Sequence, residues 1–158
     1  MYRKLFCTLM LGVATFSTSA VALTATQTVE REVIIRHADG TQTVTLERAD
    51  KVIPGDKVVY SLNYFNDEAE PAENIILVMP IPNEVKYLDG SAELDSVKTT
   101  YSVDAGQTYA DRAELRVTLT NGTSRVASAD DITHIRWAVT TAIAPETGGK
   151  LSFSGRLK

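Results

Sequence analysis

VIPGDKVVYSLNYFN, Val52 to Asn66, decides the fold. Pro54 presets φ for the second position of a reverse turn and Gly55 supplies the positive φ of the third, so Ile53-Pro54-Gly55-Asp56 reads as a type II turn. Beyond it Val58, Tyr60, Leu62 and Tyr64 fall on one face, and Val59, Ser61, Asn63 and Phe65 on the other. That alternation is the period of a β-strand.

The same period runs outward in both directions. On the N-terminal side, VEREVIIRHADGTQTVTLERA reads as two strands meeting at Asp39-Gly40, a dipeptide suited to tight hairpin turns. Its charges (Glu30, Arg31, Arg36, Glu47, Arg48) are of the kind that discourages edge pairing, which makes it an edge ribbon. On the C-terminal side, ENIILVMPI is almost continuously apolar until Pro80 and Pro82, and predicts a strand buried on both faces. Short strands are expected over Val85 to Leu88, Ala92 to Leu94 and Thr99 to Val103. ELRVTLTNGTSRV turns Leu115, Val117 and Leu119 inward and ends at a second hairpin signal, Asn121-Gly122. HIRWAVTTAI sets Ile135, Trp137 and Val139 on one face, and KLSFSGRLK does the same with Leu151, Phe153 and Leu157.

Six to nine short strands and no helical period predict an all-β chain: a single immunoglobulin-like antiparallel β-sandwich with an added N-terminal β-hairpin, a barrel being the alternative. Residues 1–22 have Arg3 and Lys4, an apolar stretch from Leu5 to Phe16 and a small-residue end at Ala20-Val21-Ala22. That is the order of a secretory signal peptide cleaved after Ala22, and the apolar part is shorter than a membrane-spanning helix needs. Cys7 lies at the front of the apolar stretch rather than at its end, where a lipoprotein cysteine would sit. The expected division is signal peptide 1–22, hairpin 23–51 and sandwich 52–158. No stable membrane insertion is expected after cleavage.

Cleavage removes two of the 16 basic residues and none of the 20 acidic ones, moving the net charge from −4 to −6. Nucleic acid and anionic membranes need a basic footprint, and none is present. The only cysteine, Cys7, leaves with the leader, so the mature chain is expected to have no disulfide, thiolate metal site or cysteine nucleophile, and to rest on its core alone. Its 44% apolar composition suits one such core.

Candidate chemistry is sparse. A Ser-His-Asp set would draw on His37 or His134, and neither has a nucleophile elbow beside it. Asp67, Glu68, Glu70 and Glu73 form the densest acidic cluster and are the candidate calcium ligands, although the spacing lacks the alternation and central glycine of a calcium loop. Asp130-Asp131 reads as a turn, Ala144-Pro145-Glu146-Thr147-Gly148 as a turn rather than a sorting signal, and Asn121-Gly122-Thr123 as a hairpin more than a glycan acceptor. Trp137 and Phe153 are expected in the core. Tyr101 and Tyr109, flanking Asp104-Ala105-Gly106, are the aromatic pair best placed for a glycan platform, with packing in the core or its rim as the favoured reading. No catalytic residue and no cofactor is expected.

Ile53-Pro54-Gly55-Asp56, Tyr60-Ser61-Leu62, Asn66, the Asn74-to-Pro82 run, Tyr87, Gly90-Ser91-Ala92, Ile135-Arg136-Trp137 and Gly149-Lys150-Leu151-Ser152-Phe153 follow one another in an order that resembles the bacterial DUF11 conserved-repeat domain, from about Val52 to Leu157. The resemblance implies an immunoglobulin-type sandwich of exported and surface proteins, without catalytic residues. The chain departs from the pattern in its single copy, in VMPIP where the family has an acid, and in its hairpin. These readings together predict a non-catalytic exported structural or interaction protein, periplasmic or extracellular, whose partner is another envelope or extracellular protein or a second copy of itself. A small-ligand module for calcium or glycan is the alternative.

Overall fold

The computed structural model describes residues 23–158, all-β and antiparallel; the expected leader, its cleavage site and Cys7 lie outside the described residues. Ten strands run in chain order: β1 Leu23–Arg36, β2 Gln42–Arg48, β3 Lys57–Asn66, β4 Ile76–Pro80, β5 Val85–Tyr87, β6 Val97–Ser102, β7 Arg116–Thr118, β8 Ser124–Val126, β9 His134–Val139 and β10 Gly148–Leu157. They form a five-stranded sheet, β2-β1-β3-β10-β5, a three-stranded sheet, β4-β9-β6, and the ribbon β7-β8.

The turns follow the local chemistry. Asp56 N–H donates to the Ile53 carbonyl at 3.1 Å across Gly55, whose φ is 98°, so the Pro-Gly turn forms as expected and delivers the chain into β3. The two hairpins share one loop rather than the two-residue turn their dipeptides suggest. Gly40 N–H donates to His37 O and His37 N–H to Thr41 O; Gly122 N–H donates to Leu119 O and Leu119 N–H to Thr123 O. Only the glycine has positive φ in each, the geometry of a three-residue loop with a bulge. Thr41 and Thr123 close their loops identically, donating backbone N–H and hydroxyl to the side-chain oxygen of Asp39 and Asn121.

The even residues of β3 face inward as their alternation predicts. Val58 is buried, and Tyr60, Leu62 and Tyr64 line the same core as Leu151 and Phe153 of β10. From the smaller sheet, Met79, Tyr101, Ile135 and Trp137 enter that cluster. Tyr60 stacks on Phe153 at 5.0 Å between centroids, and Tyr87 meets Phe153 edge-on at 6.2 Å. Trp137 is fully buried, with its indole N–H donating to Ala92 O at 3.0 Å.

Four expectations need correction. ENIILVMPI is not buried on both faces: Ile76 and Val78 are exposed because they lie on the face of β4 turned away from the core, and no described element covers that face. Ala92 to Leu94 is not a strand. The chain turns at Gly90 with φ 80°, and the carbonyl of Ala92 is taken by the Trp137 and Thr99 side chains instead of a ladder. Leu119 is exposed, since β7 and β8 pair only with each other. Finally, β1 starts at Leu23 rather than Val29: LTATQT continues the strand because β3 supplies a partner from Leu23↔Asn66 onward.

Candidate functional site

The outer edge of the large sheet is stepped. β1 is 14 residues long and has β3 on one side over Leu23 to Arg31, but β2 on the other only over Glu30 to Arg36. Ala49 N–H donates to Val29 O at 3.2 Å and closes the step. Successive residues of a strand project their N–H and C=O to opposite sides. Since Val29 points its carbonyl toward Ala49, Leu23, Ala25 and Gln27 also point away from β3. Among the described residues no strand pairs with that stretch. The notch is a cleft of about 580 Å³ lined by Gln27 to Glu30 and Arg48 to Asp50.

Above the step, β1 and β2 form a two-stranded ribbon. Ile34 lies opposite Val44 and Leu46 lies opposite Glu32, so Ile34, Val44 and Leu46 share one face; all three are exposed, as is Ile35 on the other face. Ion pairs join the two strands of the ribbon at its base and tie β1 to the body. Lys57 meets Glu32 at 2.6 Å, Arg31 meets Glu47 at 3.1 Å, and Lys150 of β10 reaches Glu30 of β1 at 3.6 Å across β3. Ser61 of β3 lies between the last two partners, buried, with no hydrogen-bond partner for its hydroxyl among the described residues.

The other edges differ. The outer side of β4 carries Ile76, Val78 and then Pro80, which has no N–H to offer. At β6, Tyr101 and Ala110 exchange both backbone bonds, at 2.9 and 3.0 Å. β5 is three residues long. Among the described residues the longest uncovered runs of backbone donors and acceptors are therefore the two parts of the stepped edge, the outer side of β2 and the β1 stretch from Leu23 to Gln27 below it.

The residues singled out from sequence are placed elsewhere. Asp67, Glu68, Glu70 and Glu73 are exposed in the loop after β3, where Asp67 accepts from the Thr24 hydroxyl. They do not converge: among the described residues no three acidic, histidine or cysteine side chains come together as metal ligands. What orders that loop is Asn66, fully buried, donating to Glu70 O and Ile143 O at 2.9 Å each and accepting from Glu68 N–H.

Tyr101 and Tyr109 do not form an exposed pair. Tyr101 is 1% exposed, bonded to Tyr87 at 3.1 Å and donating to Glu93 at 2.6 Å. Burial, then the Glu93 carboxylate, push its hydroxyl pKa well above the usual tyrosine range. Tyr109 is half-buried beneath the Arg136 guanidinium, 4.3 Å from its ring centroid. The two histidines are apart: His37 lies in the loop after β1, bonded to Thr43, and His134 starts β9, bonded to Thr133.

The remaining motifs are turns. Asp131 pairs with Arg125 at 2.7 Å and accepts from Ser128, and the guanidinium holds its carboxyl well below the usual range. Ala144 to Gly148 turns into β10, with Thr147 donating to Ala144 O. Asp104, whose role no motif in the sequence signals, accepts from Ser102, Gln107 and Thr108 and fastens the loop between β6 and Tyr109. The notch has one local signal in the sequence, the uncharged LTATQT ahead of Glu30.

Comparison with family models, curated proteins and solved structures finds no match to this chain.

Proposed function

We propose that this chain is a non-catalytic exported interaction protein of a bacterial envelope or exterior, an immunoglobulin-like sandwich related to the DUF11 domain, that recognises its partner by strand addition at the stepped edge. The observation that carries this reading is the outward edge of β1 at Leu23, Ala25 and Gln27, which no strand pairs with among the described residues. Main-chain bonds to an added strand give affinity, and alternate side chains give selectivity. The leader pattern of residues 1–22 supports export, and the order of motifs from Val52 to Leu157 supports the sandwich. The ribbon beside the notch adds exposed Ile34, Val44 and Leu46, which a partner strand or sheet would cover.

The test is cross-linking of the tagged protein in its native host, followed by mass spectrometry of the adducts. Adducts on β1 and β2 are the expected result. Cross-links confined to the β7-β8 ribbon or the acidic loop would overturn the assignment of the edge.

A further inference from the structure

We infer that the outer face of the small sheet is a second recognition site, for an extended peptide with an acidic side chain two residues from an apolar one. The acid pairs with Arg136, and the apolar group enters the cleft beside Ile76 and Ala138. This face belongs to the other sheet from the stepped edge and stands independently of it. Alternation builds it. In β9 Ile135, Trp137 and Val139 are buried, so His134, Arg136 and Ala138 point outward. In β4 the outward residues are Ile76, Val78 and Pro80, and the register lays Ile76 beside Ala138 and Val78 beside Arg136. In β6 they are Lys98, Thr100 and Ser102. Ser102 is nonetheless buried, because the Asp104 loop folds over it and donates from Asp104 N–H and Gly106 N–H to its hydroxyl. The loop then runs back beside β6, where Ala110 pairs with Tyr101, and sets Tyr109 as a wall of the outer face.

Arg136 reaches across β6 to that wall. Its Nε donates to Thr100 Oγ1 at 3.0 Å, and its guanidinium lies 4.3 Å from the Tyr109 ring centroid. Thr100 is buried, so the guanidinium is held from two sides by groups that are themselves fixed. Its two terminal nitrogens make no hydrogen bond among the described residues, and no carboxylate lies at ion-pair distance there. The two acids of the Tyr109 loop are engaged elsewhere, Asp111 with Lys98 at 3.8 Å and Asp104 with Ser102 and Thr108. An arginine already ordered, with both terminal nitrogens unmet, matches the two oxygens of a carboxylate.

The apolar half lies along the same strand. Asn74, Ile76, Ala138 and Thr140 line a cleft of about 350 Å³ at the end of β4 and β9. Ala138 and Arg136 are two residues apart on one face of β9, about 6.6 Å, which is also the spacing of same-side residues in an extended peptide. Exposed Glu73, one residue before Asn74, brings a negative charge to the cleft end and so assigns the acid to the Arg136 end. The Tyr109 ring is engaged by Arg136, and the surface adjoining it at Val78 and Ile76 is aliphatic. That suits an apolar side chain better than a sugar, which would need an open aromatic face.

The test is an amide NMR titration of the isotope-labelled protein, up to several millimolar, with an end-capped pentapeptide carrying leucine at its second position and aspartate at its fourth. A twin peptide has asparagine at the fourth. Shifts at Arg136, Ala138 and Tyr109 are expected, with Leu23 to Gln27 unmoved. The asparagine twin is expected to bind at least about tenfold more weakly, since it loses a charged hydrogen-bonded pair. Arg136→Lys keeps the charge and loses the planar fork, and is expected to weaken the aspartate peptide severalfold while leaving its twin unchanged. Should Arg136→Lys alter the spectrum beyond this face, the two peptides on the wild-type protein decide alone. No shift at this face, equal binding of the twins, or shifts at Leu23 to Gln27 in place of Arg136 overturns the proposal. So does acetate, which has the acid without an extended apolar group, if it binds as tightly as the aspartate peptide.

Discussion

Trp137 in β9 and Ile34 in β1 stand in strands with similar apolar alternation, yet the first is 0% exposed and the second 52%. Around Trp137, rings from both sheets close on one another and the polar atoms among them are bonded: the indole to Ala92 O, Tyr87 to Tyr101, Tyr101 to Glu93. Around Ile34 there is a ladder to β2, a set of ion pairs at its base and open water on both faces. No residue of β1 or β2 is buried. An alternating pattern thus specifies a strand, and the presence of a second layer decides whether that strand contributes burial energy. The inner region holds the fold together; the ribbon and notch are surface with unmet pairing capacity.

The sharpest test of that division is Trp137→Ala. Truncating a fully buried aromatic costs about 3–5 kcal/mol and also leaves Ala92 O without its indole donor. Urea unfolding followed by circular dichroism is expected to show a much lower midpoint, or no folded baseline. Next comes Asn66→Ala, about 2–3 kcal/mol, because it strips two donors from the buried carbonyl network at Glu70 and Ile143. Its second expected signature is faster hydrogen exchange at Glu68 and Ala72, where the acidic loop loses its anchor. A near-wild-type midpoint for either variant would break the claim that stability resides on this side.

Tyr101→Phe is smaller, about 1–2 kcal/mol near neutral pH, for the lost bonds to Glu93 and Tyr87. It carries a pH signature. Tyr101 in the folded chain holds its proton well above the tyrosine range, by burial and then by the Glu93 carboxylate, while an unfolded tyrosine ionises near about pH 10. Above that value the unfolded state binds fewer protons than the folded one, so stability falls as pH rises. Tyr87 and Tyr60 shift in the same direction, also through burial. The wild-type urea midpoint is expected to hold below about pH 10 and decline above it, with a shallower decline in Tyr101→Phe.

How much of this was legible in the sequence depended on how local each feature is. The Ile53-Pro54-Gly55-Asp56 turn, the inward residues of β3, β9 and β10, and both hairpins follow from dihedral preference and period two, which the chain carries within a few residues. The burial of ENIILVMPI did not follow, because whether Ile76 and Val78 are covered depends on what lies beyond β4. Tyr101 and Tyr109 looked equivalent beside one loop, and the structure separates them: Tyr101 points inward from β6, while Tyr109 lies past the Asp104 turn. The notch was the least legible feature. It arises from an offset between two neighbours of one long strand, and neither LTATQT nor β2 announces where the other stops.

The smallest expected effect closes the comparison from the other side. Val44→Thr and Leu46→Thr, separately or together, place β-branched residues at both positions of β2 and remove apolar groups that are already 57% and 44% exposed. Little burial is lost, so the urea midpoint is expected to move by no more than about 0.5 kcal/mol equivalent. Their effect belongs on recognition: the pair is expected to reduce adducts at the ribbon in the cross-linking experiment while leaving the midpoint unchanged. If the double variant instead unfolds as readily as Trp137→Ala, the ribbon's apolar face is covered within the folded chain and the division between a stabilising interior and an available edge fails. If stability holds and adducts fall, the exposed face of Ile34, Val44 and Leu46 is part of what the partner covers.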